Sequence, residues 1–184
     1  MTLSSHQSAR PESIEWLTPP HIIAALGGAE SFDLDPCAAP NAPDPWPTAR
    51  THYRADQING LTAPWHGRVW CNPPFSREAA QWARQMALHG HGVLLIQART
   101  ETRWWQESVL PHATRILLLA GRLHFHRPDG TRAAANSGAP TALVAYGAAD
   151  AMVLAHCGLP GHLSPLGRWE QPEIRADPHP RPAP

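Results

Sequence analysis

Two adjacent prolines behind an asparagine form the sharpest chemical signal in the 184-residue chain, at Cys71-Asn72-Pro73-Pro74-Phe75. Proline fixes φ and carries no N–H, so Pro73 and Pro74 hold an extended turn and remove two donors from it. What remains is a set of acceptors and a ring: the Asn72 side-chain oxygen, the Pro73 carbonyl and the Phe75 ring. Such a set suits a planar group bearing an NH2, whose two hydrogens are accepted while a ring stacks on its plane. Accepting both hydrogens draws the nitrogen lone pair out of conjugation and makes it a better nucleophile. Asparagine is no strong base, so the proton leaves with attack or after it. The same residues could also make a plain turn at a strand end.

Two further groups of residues stand near strand ends. Asp33 and Asp35, in Phe32-Asp33-Leu34-Asp35-Pro36, share a face of an extended chain, so either could be a functional acid. Asp35 could equally cap the Pro36 turn by an Asx hydrogen bond. Asp56 reads equally as a ligand or as a solvated loop residue.

The elements that must position these groups follow from pattern. Thr18 suits a helix N-cap and Pro19 the first helical position, with Gly27 and Gly28 ending the helix. A short strand stops at Pro36. The prolines between 37 and 67 exclude long regular elements there. A strand over 68–71 leads to the Asn72 turn, and Ser76 caps a helix in which Ala79, Trp82, Ala83 and Met86 recur at helical spacing. Gly92–Gln97 is a continuous apolar run, as in a strand covered on both faces. A helix over 102–110, strands over 115–120 and 122–126, a strand over 141–147 and a helix over 148–156 complete the pattern. This order predicts an α/β fold with a mostly parallel sheet and helices on both faces. Ligands in such sheets bind beyond the carboxyl ends of the strands, which is where the candidate residues stand. Residues 14–169 read as one domain, flanked by a loose N-terminus (1–13) and a proline-rich disordered tail (170–184).

Composition excludes several chemistries. All 15 basic residues are arginine, so Schiff-base, P-loop and protein-kinase lysines are ruled out. Cys37, Cys71 and Cys157 are far apart in sequence and read as reduced thiols. The pairs His89/His91 and His124/His126 lack a clear third ligand, so no metal is expected. No apolar run approaches the ~20 residues of a membrane helix, and the N-terminus has no signal-like stretch. A cytoplasmic protein without membrane contact is expected.

Several blocks in order resemble one family. They are Glu15-Trp16-Leu17-Thr18-Pro19, Phe32 to Ala38, Asn59-Gly60-Leu61 with Trp65, Val69 to Ser76, Thr100 to Trp105, Gly121 to Phe125, and Asn136-Ser137. Together they resemble the phage-type DNA N6-adenine methyltransferase (Dam-type) family, over about residues 15–147. The resemblance implies a trimmed Rossmann-like methyltransferase fold using S-adenosylmethionine, of phage or prophage association. The acceptor would be the N6 amine of an adenine flipped out of double-stranded DNA. Asn72, Pro73, Pro74 and Phe75 would be catalytic, with Asn72 and Pro73 holding the amine and Phe75 stacking on the base. Thr18, Pro19, Asp33, Asp35, Pro36, Cys37, Ala38, Asp56 and Asn72 would line the cofactor site. Arg77, Arg99, Arg103, Arg122, Arg127 and Arg132 are the candidate DNA contacts. The pair Trp104-Trp105 reads as core packing rather than base stacking.

The family pattern is not met everywhere. Ala38-Ala39-Pro40-Asn41 stands where most methyltransferases carry a glycine-rich loop. The stretch between the first strand and the Asn72 strand is too short for two further strand–helix units. A sheet of about five to six strands is therefore expected, with Trp65 closing its edge. Cytosine-N4, RNA and protein-glutamine methylation remain alternative activities, as does a catalytically inactive DNA-binding protein.

The net charge of zero is a cancellation. Residues 1–76 hold four arginines against seven acids, and residues 77–132 hold eight against four. A locally basic face after the Asn72 turn suits a polyanion such as DNA.

Overall fold

The computed structural model describes residues 16–43 and 46–165. The expected loose N-terminus and proline-rich tail lie outside the described residues. Seven strands form one sheet: β1 (Leu34–Ala38), β2 (Thr51–Arg54), β3 (Val69–Cys71), β4 (Gly92–Gln97), β5 (Arg115–Leu119), β6 (Thr141–Tyr146) and β7 (Gly161–Leu163). Their order is β2-β1-β3-β4-β6-β5-β7. The first four run parallel, whereas β6 is antiparallel to both β4 and β5, and β7 to β5. Five strands thus share one direction and two oppose it. The sheet is mixed, α/β in class and compatible with a Rossmann-like arrangement, and it has more strands than expected.

Helices cover both faces. On one face α2 (Ala79–His89) and a π-helical turn (Trp105–Val109) bury Trp82, Ala83, Met86, Trp105 and Val109 against Leu94, Ile96, Val144 and Tyr146. On the other, α1 (Pro20–Ala25) and α3 (Ala148–His156) bury Ile22, Ile23, Ala151 and Leu154 against Trp70, Val93, Leu95 and Leu143. The alternation of Val93 and Leu95 with Leu94 and Ile96 on β4 is why its sequence is a continuous apolar run. Among the described residues no helix is long and apolar enough to cross a membrane.

Several expectations need correction. The helix near Thr18 begins at Pro20; Pro19 is its extended cap residue, at φ −60° and ψ 131°, and the Thr18 hydroxyl is used elsewhere. β1 does not stop at Pro36 but runs to Ala38, because its pairing with β2 shifts register between Asp35 and Ala38, around the proline that has no N–H. Ser76 sits before its helix: its Oγ accepts from the Glu78 N–H, and Glu78 caps α2. The helix expected over 102–110 is present over 103–109, with Trp105–Val109 wound as the π-helical turn, but residues 122–126 are not a strand. That segment is tied by isolated bridges, His126 to Leu17 and to Arg132. Trp65, expected at the sheet edge, packs against the core cluster, as does Tyr53 of the edge strand β2. Trp65 stacks on Trp82 of α2 at 6.2 Å and donates its indole N–H to the Gly60 carbonyl. The strand β7 carried no recognisable pattern, because it is three residues long and pairs only at the far edge.

Candidate functional site

The parallel strands β1, β2, β3 and β4 all end on one edge of the sheet, and the sequence-predicted residues gather there. A cavity of about 320 Å3 opens beside the end of β1. Its walls include Thr18, Asp35, Pro36, Cys37, Ala38 and Asn72, together with Trp16, Thr48, His52, Arg54, Asn59, Glu78 and Trp82. A second cavity, of about 520 Å3, lies on the far side of the Asn72 turn and is lined by Pro73, Phe75, Arg77, Gln97, Arg99 and Trp104, among others. Asn72 and Pro74 line the first cavity, Pro73 and Phe75 the second. An extended backbone sends alternate residues to opposite sides, and the two prolines keep it extended.

Asn72 is oriented unambiguously. Its Nδ2 donates to the Trp16 carbonyl at 2.9 Å and to Thr18 Oγ1 at 3.2 Å. A carbonyl can only accept, so nitrogen and not oxygen must face it. Asn72 Oδ1 is consequently the free acceptor: it is buried and has no hydrogen-bond partner among the described residues. An orphaned buried acceptor costs about 1–3 kcal/mol unless a ligand supplies a donor. The Pro74 carbonyl accepts from the Ser76 N–H at 2.7 Å, but no described residue donates to the Pro73 carbonyl. Two acceptors are therefore left unused around one turn.

The segment that orients Asn72 is itself fixed. Leu17 and His126 exchange both backbone hydrogen bonds, at 2.9 and 3.1 Å. The Trp46 indole N–H donates to the Thr18 carbonyl at 3.2 Å, and its ring lies 5.2 Å from His126. Phe75 meets Phe125 edge to face, with centroids 5.2 Å apart. The Gly121–Phe125 block thus buttresses the Asn72 turn from behind.

The other predicted residues divide. Asp35 is buried, and both its oxygens are in use. Oδ1 accepts from the Cys37 N–H at 3.1 Å, an Asx turn, and Oδ2 accepts from Thr48 Oγ1 at 2.5 Å. The Thr48 oxygen is in turn 3.0 Å from His52 Nε2. Burial pushes the Asp35 carboxyl above its ordinary range, while the Thr48 hydroxyl and nearby His52 pull it back down. Asp33, two residues earlier, is at the opposite edge of the sheet. It accepts from the Arg68 N–H at 2.8 Å and from Arg50 at 3.1 Å and is not part of either cavity wall. Pro19 and the exposed Asp56 are likewise not on the walls. Cys37 and Cys71, distant in sequence, lie on adjacent strands with sulfurs 3.6 Å apart, both free.

Among the arginines, Arg77 and Arg99 lie together on the second cavity. Arg103 pairs with Glu107 at 2.7 Å, and Arg122 donates to the Gly138 carbonyl at 2.6 Å. Arg127 anchors the turn that closes on Thr131, and Arg132 is exposed beside His126.

Thr48, His52 and Trp16 were not anticipated at the site. Thr48 and His52 reach Asp35 across the β1–β2 pairing, a contact that no local pattern signals. Trp16 acts through its backbone carbonyl, which is blind to residue type. Gly60 carries a readable signal in hindsight: a Cβ there would overlap the Pro36 carbonyl, so only glycine lets the 59–61 loop close against β1.

The family model for DNA N-6-adenine-methyltransferase (Dam) matches residues 6–149. The chain belongs to the Dam family. The activity of that family is methylation of the N6 amine of adenine in DNA, and the match spans both cavities and the Asn72 turn of this Dam protein. No curated protein and no solved structure matches the chain.

The buried Asp35 of this Dam-family site gives a stability prediction. A carboxyl whose folded pKa is raised favours its protonated form in the fold. Its contribution is fully present below the ordinary carboxylate range and is lost as pH rises through the folded value. Wild type should therefore be at its most stable relative to Asp35→Asn in acid and should lose ground as pH rises. Urea midpoints for both proteins across pH 3–8 (about one unit apart) measure this. A difference independent of pH, or one that grows with pH, would refute the burial argument.

Proposed function

We propose that this Dam-family chain uses S-adenosylmethionine to methylate the N6 amine of an adenine flipped out of duplex DNA, in the cytoplasm of a bacterial or phage-infected cell. The observation that carries this reading is the pair of unused acceptors, Asn72 Oδ1 and the Pro73 carbonyl, between two cavities. One amine offers two hydrogens, and the turn offers two acceptors. The phage or prophage association rests on the resemblance of the sequence blocks.

The first cavity is suited to the cofactor. It stands at the carboxyl end of β1, the favoured ligand position in sheets of this kind. Besides Asn72 Oδ1, the buried Trp82 indole N–H on its wall lacks a partner. His52, Arg54, Asn59 and Glu78 offer both signs of charge and neutral polar groups to a zwitterionic ligand. Thr18 and Asp35 act one step behind the ligand, Thr18 by orienting Asn72 and Asp35 by bracing the Pro36–Ala38 wall. The bound cofactor supplies an electrophilic methyl group. The residues of the chain then accept both amine hydrogens, stack Phe75 against the base and aim the nitrogen across the turn. The lining of the second cavity includes no carboxylate, so the proton released after attack passes to water. The strand arrangement supports a trimmed methyltransferase sheet, since among the described residues β1 connects to its neighbour β2 without an intervening helix.

Arg77 and Arg99, on the lining of the second cavity, are suited to phosphates beside an extruded nucleotide. Incubation with tritiated S-adenosylmethionine and PCR-amplified DNA, followed by nucleoside analysis, tests the proposal. Label in N6-methyldeoxyadenosine is the expected result. Label in N4-methyldeoxycytidine, in RNA or in protein alone would overturn it.

A further inference from the structure

We infer that Trp104 is a wall of the acceptor-base slot, a positioning role added to its packing against the core; the inference rests on the adenine-methylation reading above. The two consecutive tryptophans do different things. Trp105 is fully buried, and its indole N–H donates to the Gln97 carbonyl at 2.9 Å. It ties the π-helical turn to the end of β4 and belongs to the core. Trp104 is half-buried and lines the second cavity, and its indole N–H is neither buried nor bonded among the described residues. Its ring leans on Trp105 at 5.9 Å and 46° and packs against the core, while the residue also lines the cavity.

The cavity has the chemistry of a nucleobase slot. Pro73, Phe75 and Arg77 come from the Asn72 turn and the residues after it, and Arg99 and Trp104 come from the segment after β4. A flat aromatic base is held best by flat rings, and stacking on one aromatic side chain tolerates either face of the base. Phe75 is the smaller ring and also makes an edge-to-face contact with Phe125. Trp104 supplies the larger ring on the cavity wall. Arg99 adds a polar group to this wall. Its Nε donates to Gln97 Oε1 at 3.0 Å, and a guanidinium can only donate, so the Gln97 amide keeps its NH2 free as a donor.

The test compares Trp104→Ala, Trp104→Leu and Trp104→Phe with wild type. Two quantities are measured: kcat/KM for transfer from tritiated S-adenosylmethionine to PCR-amplified DNA, and the cofactor Kd by calorimetry. Stacking predicts that the alanine and leucine variants lose about 10- to 100-fold in kcat/KM, while phenylalanine stays within about threefold. The cofactor Kd should be unchanged in all three, because Trp104 is not on the first cavity. A packing role predicts a different order, with leucine and phenylalanine alike. Equal activity of the leucine and phenylalanine variants overturns the inference, as does a parallel loss of cofactor affinity. If the alanine variant does not fold, the leucine–phenylalanine comparison decides. Wild-type protein that transfers no methyl group to DNA adenine would bring down the underlying reading, and this inference with it. An active wild type with an unaffected leucine variant brings down this inference alone.

Discussion

Asn72→Asp is expected to be impaired at neutral pH and partly rescued by acid, whereas Asn72→Ala is expected to be impaired at every pH. Aspartate is the commoner residue before such a Pro-Pro turn in amino-methyltransferases, and both side chains can accept hydrogen bonds. In this chain, however, the Asn72 Nδ2 donates to the Trp16 carbonyl at 2.9 Å. A carboxylate would put a second acceptor against that carbonyl and leave Trp16 without its donor. An unmet buried polar group costs about 1–3 kcal/mol, and a domain of this size loses about 2–4 °C of Tm per kcal/mol. The Asn72→Asp variant should therefore melt several degrees lower. Protonation restores one O–H to donate to Trp16 and leaves the other oxygen as acceptor, so its activity should climb as pH falls while wild-type activity does not. The alanine variant has no acceptor to offer the amine. Loss of one positioned hydrogen-bonding group from an active site costs about 10²–10³ in kcat, and its Tm should fall less than its activity does. Thr18→Val removes only the weaker contact at 3.2 Å and should cost about tenfold or less. Steady-state kinetics and melting of all three between roughly pH 5.5 and 8.5 check this. Wild-type activity and Tm for Asn72→Asp at pH 8 would show that the Trp16 contact does not orient residue 72.

What could be read in the sequence follows the range of the interactions. The Asn72 turn, the apolar run of β4 and the spacing of Trp82, Ala83 and Met86 are local, and each is found where its pattern indicated. The extent of β1 was misjudged because Pro36 is tolerated where a register shift leaves no ladder bond to lose. The 122–126 segment alternates like a strand, but Leu17 and Phe75 use its polar and aromatic groups one at a time, so no ladder forms. Asp33 and Asp35 share a face, but two residues along a strand separate them by about 7 Å, enough to put them at different edges. Trp104 and Trp105 are indistinguishable as neighbours in sequence. Only the fold separates them: Trp105 is fully buried in the core, whereas Trp104 packs against the core and also lines the second cavity. The sequence also carried no sign that Trp16 orients the asparagine, since a backbone carbonyl has no residue signature.

Asp150→Ala is expected to destabilise the protein by about 3–5 kcal/mol without touching the chemistry of the site. Asp150 lies in the first turn of α3 and is fully buried, and its Oδ1 accepts from Arg68 Nε at 2.7 Å. Arg68, just before β3, also donates to the Leu26 carbonyl at the end of α1 and to Ser31 Oγ, and its guanidinium carbon sits 4.0 Å over the Phe32 ring. One partly buried cation, its side chain 14% exposed, thus joins α1, α3 and the start of β3. Removing the carboxylate leaves that cation in place with its charge unanswered, which is why the expected loss exceeds that of a surface pair. At about 2–4 °C per kcal/mol the Tm should drop by roughly 6–20 °C. Removing both charges is a milder change: Arg68→Met with Asp150→Leu fills the same space with apolar groups and should recover much of the loss, because no lone charge remains. Asp33, Arg68, His91 and Asp150 all lie at the edge of the sheet opposite the carboxyl ends of β1 to β4, so the double variant should bind cofactor with wild-type affinity. A Tm for Asp150→Ala within about 2 °C of wild type would mean that water reaches Arg68 and screens it. A double variant less stable than Asp150→Ala would mean instead that the carbonyl and Phe32 contacts of Arg68 matter more than its charge pairing. The two outcomes separate the cost of a stranded charge from the value of the contacts that charge makes.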